Sequence, residues 1–118
     1  MGKILSDRQI ADFAEHGFVS PVPLLDQAYC DALLERISSF ESRRPGDVAW
    51  AFDIKCNLLF DWVYQLSTHT GTLDAVEDLL GPNIYNTDTV FRIKEPGAST
   101  AYGWHQDAAR IDVDPCFL

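Results

Sequence analysis

Apolar positions recur at helical spacing through the first two-thirds of the chain and then switch to alternation. Near the start, Ile10, Phe13 and Ala14 make a stripe one helical turn apart. Ser6 and Gln9 have the spacing of a capping box, Leu5 and Ile10 are placed for a hydrophobic staple, and Gly17 offers a left-handed stop, so a helix is expected over residues 6–16. Residues 18–22 read as a short strand ended by Pro21 and Pro23. Asp26 caps a second helix that runs to about Phe40 on the spacing of Leu33, Leu34, Ile37 and Phe40. Residues 42–48 form a loop. A third helix over 57–67 is expected to bury Leu58, Leu59, Trp62, Val63 and Leu66, and a fourth over 72–80 stops at Gly81-Pro82.

After Pro82 the composition turns β-branched and aromatic, and residues 83–94 read as a long strand. Alternation puts Tyr85, Thr87, Thr89, Phe91 and Ile93 on one face and Asn86, Asp88, Val90, Arg92 and Lys94, with Ile84, on the other. So polar a second face suits an exposed sheet or the wet interior of a barrel. A loop over 95–103 leads to a further strand over 104–111. Helices first and strands after make an α+β order within one domain, residues 1–118, mainly helical over 1–82 and extended over 83–118. Two strands neither close a barrel nor cover a sheet, so the strand layer is expected to be incomplete in this chain.

The 118 residues suffice for one compact domain, and a hydrophobic share of 47% supports a packed core. Nine basic residues against eighteen acidic ones leave a formal charge of −9, which argues against nucleic acid and anionic membrane as partners. No apolar run reaches the ~20 residues of a membrane span, and residues 1–5 pass into polar sequence without a secretory leader. Three cysteines without a CxxC spacing suggest neither a disulfide framework nor a zinc site, and reduced thiols in a cytoplasmic protein are expected. There is no glycine-rich phosphate loop and no Ser-His-Asp or Cys-His arrangement.

The residues with metal chemistry are His105 and Asp107. Side chains two apart on a strand share a face, roughly 7 Å apart at the backbone, so an imidazole and a carboxylate here can converge on one ion. They are two members of the 2-His-1-carboxylate set that holds Fe(II) with open coordination positions. The spacing alone is common by chance, and by itself it is better explained by a surface His and Asp on a strand.

The surrounding sequence adds to it. Phe91-Arg92-Ile93-Lys94-Glu95-Pro96-Gly97, a loop, and Trp104-His105-Gln106-Asp107 resemble the phytanoyl-CoA dioxygenase family. Leu5 to Ile10, Phe13, His16-Gly17-Phe18-Val19 and Leu24-Leu25-Asp26 are similar to the family's opening helix and strand. Leu58-Leu59-Phe60-Asp61-Trp62-Val63 and the run from Leu73 to Pro82 also look like the family, so the resemblance covers nearly the whole chain in order. It implies helices flanking a double-stranded β-helix (jelly-roll, cupin-like) core, Fe(II), and 2-oxoglutarate as co-substrate. The implied reaction is oxidative decarboxylation of 2-oxoglutarate to succinate and CO₂, coupled to hydroxylation of a small organic or acyl substrate by O₂. His105 and Asp107 match the first two iron ligands. An acid at position 107, where related halogenases carry a small residue, implies a hydroxylase. Lys55 matches a lysine that contributes to binding 2-oxoglutarate, and Val90 a residue packed against it, although a solvated lysine and a plain packing role account for them as well. Arg92 and Lys94 would add charge near a carboxylate, although such residues are more often surface, and Trp104 would pack beside the metal or in the core.

The family's third ligand, a histidine, and the arginine that pairs with 2-oxoglutarate lie well downstream of the His-x-Asp pair, and no matching residues follow it here. His16 and His69 lie upstream and read as cap or surface residues. The expectation is therefore a dioxygenase fragment that is inactive alone, completed by an oligomeric partner or a complementing C-terminal segment. Two alternatives stand beside it: a non-catalytic α+β binding domain derived from the family, and one half of a split enzyme.

Overall fold

The computed structural model describes residues 2–94, 96–99, 101 and 103–105. Five α-helices follow one another: α1 (Asp7–His16), α2 (Gln27–Arg43), α3 (Val48–Ala51), α4 (Asp61–Ser67) and α5 (Thr70–Leu80), with a 3-10 turn at Cys56–Leu58 before α4. None among the described residues is long and apolar enough to cross a membrane.

Local chemistry accounts for both ends of α1 and the start of α2, whereas α3, α4 and α5 begin without a side-chain cap. At α1 the Ser6 hydroxyl accepts from the Gln9 amide while the Gln9 side chain accepts from the Ser6 amide, satisfying two N-terminal donors at once. Gly17 closes the helix at φ +79°, a left-handed conformation that suits glycine, and its N–H donates to the Phe13 carbonyl at 2.8 Å. Asp26 caps α2 by accepting from Tyr29 N–H at 2.7 Å, and the helix runs to Arg43, beyond the expected Phe40. The helix expected over 57–67 is broken. Phe60 takes an extended conformation (φ −128°, ψ 117°) between the 3-10 turn and α4, and its ring stacks on Phe52 at 4.8 Å and 14°. Val63 is buried as expected, whereas Leu58 and Leu59 are exposed, because the break turns them away from the α4 stripe.

A strap before α1 is tied to α5 through Asp78. Its carboxylate accepts from three successive backbone amides, Lys3 at 2.7 Å and Ile4 and Leu5 at 2.8 Å each. The Lys3 ammonium reaches Glu77 at 2.7 Å and Asp74 at 3.2 Å. Leu5 is buried beneath this clamp, and Gly2 admits no side chain, since a Cβ there would lie 2.6 Å from the Asp78 carboxylate. The amide bonds from Ile4, Leu5 and Lys3 hold the Asp78 carboxyl below the usual carboxylate range.

The core is aromatic. Ala51, Phe52, Cys56 and Val63 are buried together, with Ile37, Phe40, Val48, Phe60, Trp62 and Phe91 packed against them. Phe40 meets Phe52 and Phe60 edge-on, both at 5.4 Å, so the rings pack in the offset and T-shaped geometries their quadrupoles favour.

The expected α+β class is not what the structure shows: among the described residues there is no β-strand, and thus no jelly-roll core. Residues 18–22 and 83–94 form no ladder, and the strand placed over 104–111 lies mostly outside the described residues. The reason is pairing. A strand exists through hydrogen bonds to a neighbouring strand. Residues 83–94 instead find partners on the 52–56 turn: Cys56 N–H donates to the Thr89 carbonyl at 3.1 Å and Phe91 N–H to the Phe52 carbonyl at 2.9 Å. Of the alternating face only Thr89 and Phe91 dock on the helical unit, while Tyr85, Thr87 and Ile93 are exposed.

Two outcomes follow for stability. Asp78→Ala should lower the urea midpoint and expose the Lys3, Ile4 and Leu5 amides to hydrogen exchange. Because the folded Asp78 carboxyl titrates below its unfolded value, its contribution is complete above the unfolded pKa of about 4 and disappears as pH falls through the folded one, so wild type and variant should converge in acid. Phe52→Ala removes a ring with no exposed surface and should cost about 3–5 kcal/mol in denaturant unfolding.

Candidate functional site

The best-defined feature near the expected site residues is the junction between the 52–56 turn and residues 88–92. Asn86 begins it: its side-chain oxygen accepts from Asp88 N–H at 3.1 Å and its amide nitrogen donates to the Thr89 hydroxyl at 3.0 Å, an Asx-type turn that folds 86–89 on itself. Asp88 thereby reaches Lys55, accepting from its backbone N–H at 2.7 Å. The Thr89 carbonyl accepts twice, from Cys56 N–H and from the Cys56 thiol at 3.0 Å. An Arg92–Asp53 ion pair closes the far end.

These bonds hold Lys55 at φ +51°, ψ 36°, a left-handed conformation that costs a non-glycine residue about 1 kcal/mol or more. The Lys55 side chain is exposed. Val90 is half-buried between the two anchored residues Thr89 and Phe91, so the two positions expected to meet a co-substrate lie on abutting segments. Arg92, expected to add charge, is engaged by Asp53, and Lys94 is exposed. Burial pushes the Cys56 thiol up, with the nearby Asp88 charge adding to the effect, so Cys56 stays protonated and packs rather than reacts.

His105 is exposed, and its Nδ1 lies 2.9 Å from the Gly103 carbonyl oxygen. A carbonyl only accepts, so Nδ1 carries the proton and Nε2 is the basic nitrogen of the neutral ring. That tautomer suits a metal-binding imidazole, whose second N–H is ordinarily held by a carbonyl or carboxylate. Asp107 lies outside the described residues. Trp104, expected beside the metal or in the core, is fully exposed. His16 ends α1 with Nδ1 3.0 Å from the Asp12 carbonyl oxygen, and His69 precedes α5 with its ring 5.7 Å from that of Tyr29. Among the described residues no group of three or more His, Cys, Asp or Glu converges as a metal cluster would.

Sequence reasoning overlooked Asp53, Asn86 and Asp88, which build the junction. The Asn-x-Asp spacing at 86–88 is an Asx-turn signal, but inside a β-branched run it reads as strand.

A family model described as phytanoyl-CoA dioxygenase (PhyH) matches residues 13–117, a span that includes α2 to α5, the junction, His105 and Asp107. The chain belongs to the phytanoyl-CoA dioxygenase family. No curated protein and no solved structure matches it. Phytanoyl-CoA dioxygenase relatives are 2-oxoglutarate-dependent oxygenases, generally with Fe(II), acting on small molecules with O₂.

Lys55→Gly relieves the left-handed backbone and keeps the N–H bond to Asp88. It should raise the unfolding free energy by about 1 kcal/mol in urea titration. A loss of similar size would show that the lysine side chain itself holds the turn.

Proposed function

We propose that this member of the phytanoyl-CoA dioxygenase family is a hydroxylase in which His105 and Asp107 ligate Fe(II) while Lys55 and Val90 receive 2-oxoglutarate. The observation that carries this reading is the family match across 13–117, which spans all four residues. The donor set fits the metal: an imidazole and a carboxylate two residues apart suit Fe(II), and the Nδ1–H bond to Gly103 leaves Nε2 as the basic nitrogen. When bound, Fe(II) with 2-oxoglutarate supplies the oxidative decarboxylation that lets one O₂ yield succinate, CO₂ and a hydroxylated product.

The chain's own part is positioning. The Gly103 carbonyl orients the His105 ring. The Lys55 ammonium offers a point charge to a carboxylate of 2-oxoglutarate, and the hydrogen bonds of its backbone and of Cys56 fix where that charge starts. Val90 supplies apolar surface to the carbon chain of the co-substrate. The structure ties His16 to its own helix and packs His69 against Tyr29, so on this reading a complementing segment brings the triad's second histidine.

The test is Fe(II)-dependent succinate formation by the gene product with 2-oxoglutarate and candidate substrates. His105→Ala and Asp107→Ala should each reduce it to background, and Lys55→Ala should raise the KM for 2-oxoglutarate. Retained succinate formation in either ligand variant overturns the assignment.

A further inference from the structure

A groove on the outer side of Phe52 has no part in the junction. Its floor is the half-buried rings of Phe40, Phe60 and Trp62, with the fully buried Phe52 beneath them, and its wall is the face of α2 that carries Arg36 and Arg43. The cavity is about 530 Å³, within the range of small-molecule sites, and it adjoins a second depression of about 420 Å³ with which it shares Arg36, Phe60 and Trp62.

Charge distinguishes this groove from the rest of the molecule. The chain carries −9, yet the larger cavity sets two arginines against the single carboxylate of Glu35. Arg36 and Arg43 stand two helical turns apart, about 10 Å along α2. Arg43 donates through Nε to the Ser39 carbonyl at 3.1 Å, on its own helix. Arg36 has no hydrogen-bond or ion-pair partner among the described residues, and it stands where the two depressions meet. A guanidinium beside exposed ring faces recognises a carboxylate by a two-pronged hydrogen bond and a flat apolar body by stacking. In the smaller depression Asp61 sits near the same arginine, which disfavours a ligand with several negative charges.

We propose that this groove binds an aromatic monocarboxylate, with the ring on Phe60 and Trp62 and the carboxylate on Arg36. The claim concerns binding alone, so it stands or falls apart from the oxygenase reading and is tested without iron. The full chain is titrated with 3-phenylpropionate and with its neutral counterpart 3-phenylpropan-1-ol, followed by NMR. The acid should bind at least tenfold more tightly than the alcohol, about 1.4 kcal/mol, and should shift the Trp62 indole N–H while leaving that of Trp50 in place. Arg36→Gln, an exposed substitution that leaves the amide spectrum otherwise superimposable, should erase the preference for the acid and keep the affinity for the alcohol. Equal affinities in wild type overturn the proposal, as does a preference that survives Arg36→Gln. A Trp62 resonance that moves with neither compound also overturns it, by showing that polypeptide already covers the groove.

Discussion

Two backbone hydrogen bonds, from Cys56 N–H to the Thr89 carbonyl and from Phe91 N–H to the Phe52 carbonyl, tie the helical unit to the extended segment that leads toward His105. The bonded positions are two residues apart on the extended segment, Thr89 and Phe91, and four apart on the turn, Phe52 and Cys56, so the contact is two anchor points and not a ladder. Phe52 sits at the centre: its carbonyl takes one bond and its ring is the middle of the aromatic cluster, touching Phe40, Phe60, Trp62 and Phe91. Backbone pairing and ring packing therefore depend on the same residue. A shift of the 52–56 turn would move Lys55, loosen Phe91 and open the core together.

The same junction explains a local conflict. A left-handed lysine is unfavourable by itself, yet Lys55 is fixed by an Asp88 carboxylate on its N–H and by Cys56 bonding twice to one carbonyl. Asp88 is aimed there by Asn86, and Arg92 is held by Asp53. Charged groups that alternation would assign to a solvated strand face are used as pins between segments.

Elsewhere the molecule handles its excess of acid by local pairing. Three α5 carboxylates, Asp74, Glu77 and Asp78, face one lysine and three backbone amides of the strap, so a run of negative charge becomes an anchor. The outer groove does the reverse, gathering arginines in an acidic chain. The buried Phe52 lies under the aromatic floor of the groove and gives its carbonyl to the junction, while no other junction residue lines the groove.

What the sequence by itself determined is the local part. Ser6 and Gln9, Gly17 and Asp26 specify their helix ends through hydrogen bonds that span three or four residues, and those ends lie where the spacing puts them. The family is legible too, because His105, Asp107 and the motifs around them are contiguous in the chain. Tertiary structure decided the rest. Whether a β-branched, alternating segment becomes a strand depends on a partner, and here the 52–56 turn takes that role. Whether Phe60 continues a helix depends on a ring eight residues earlier. The bond from Lys55 N–H to Asp88 joins positions 33 residues apart, and only packing and long-range hydrogen bonds can specify a separation that no periodicity spans.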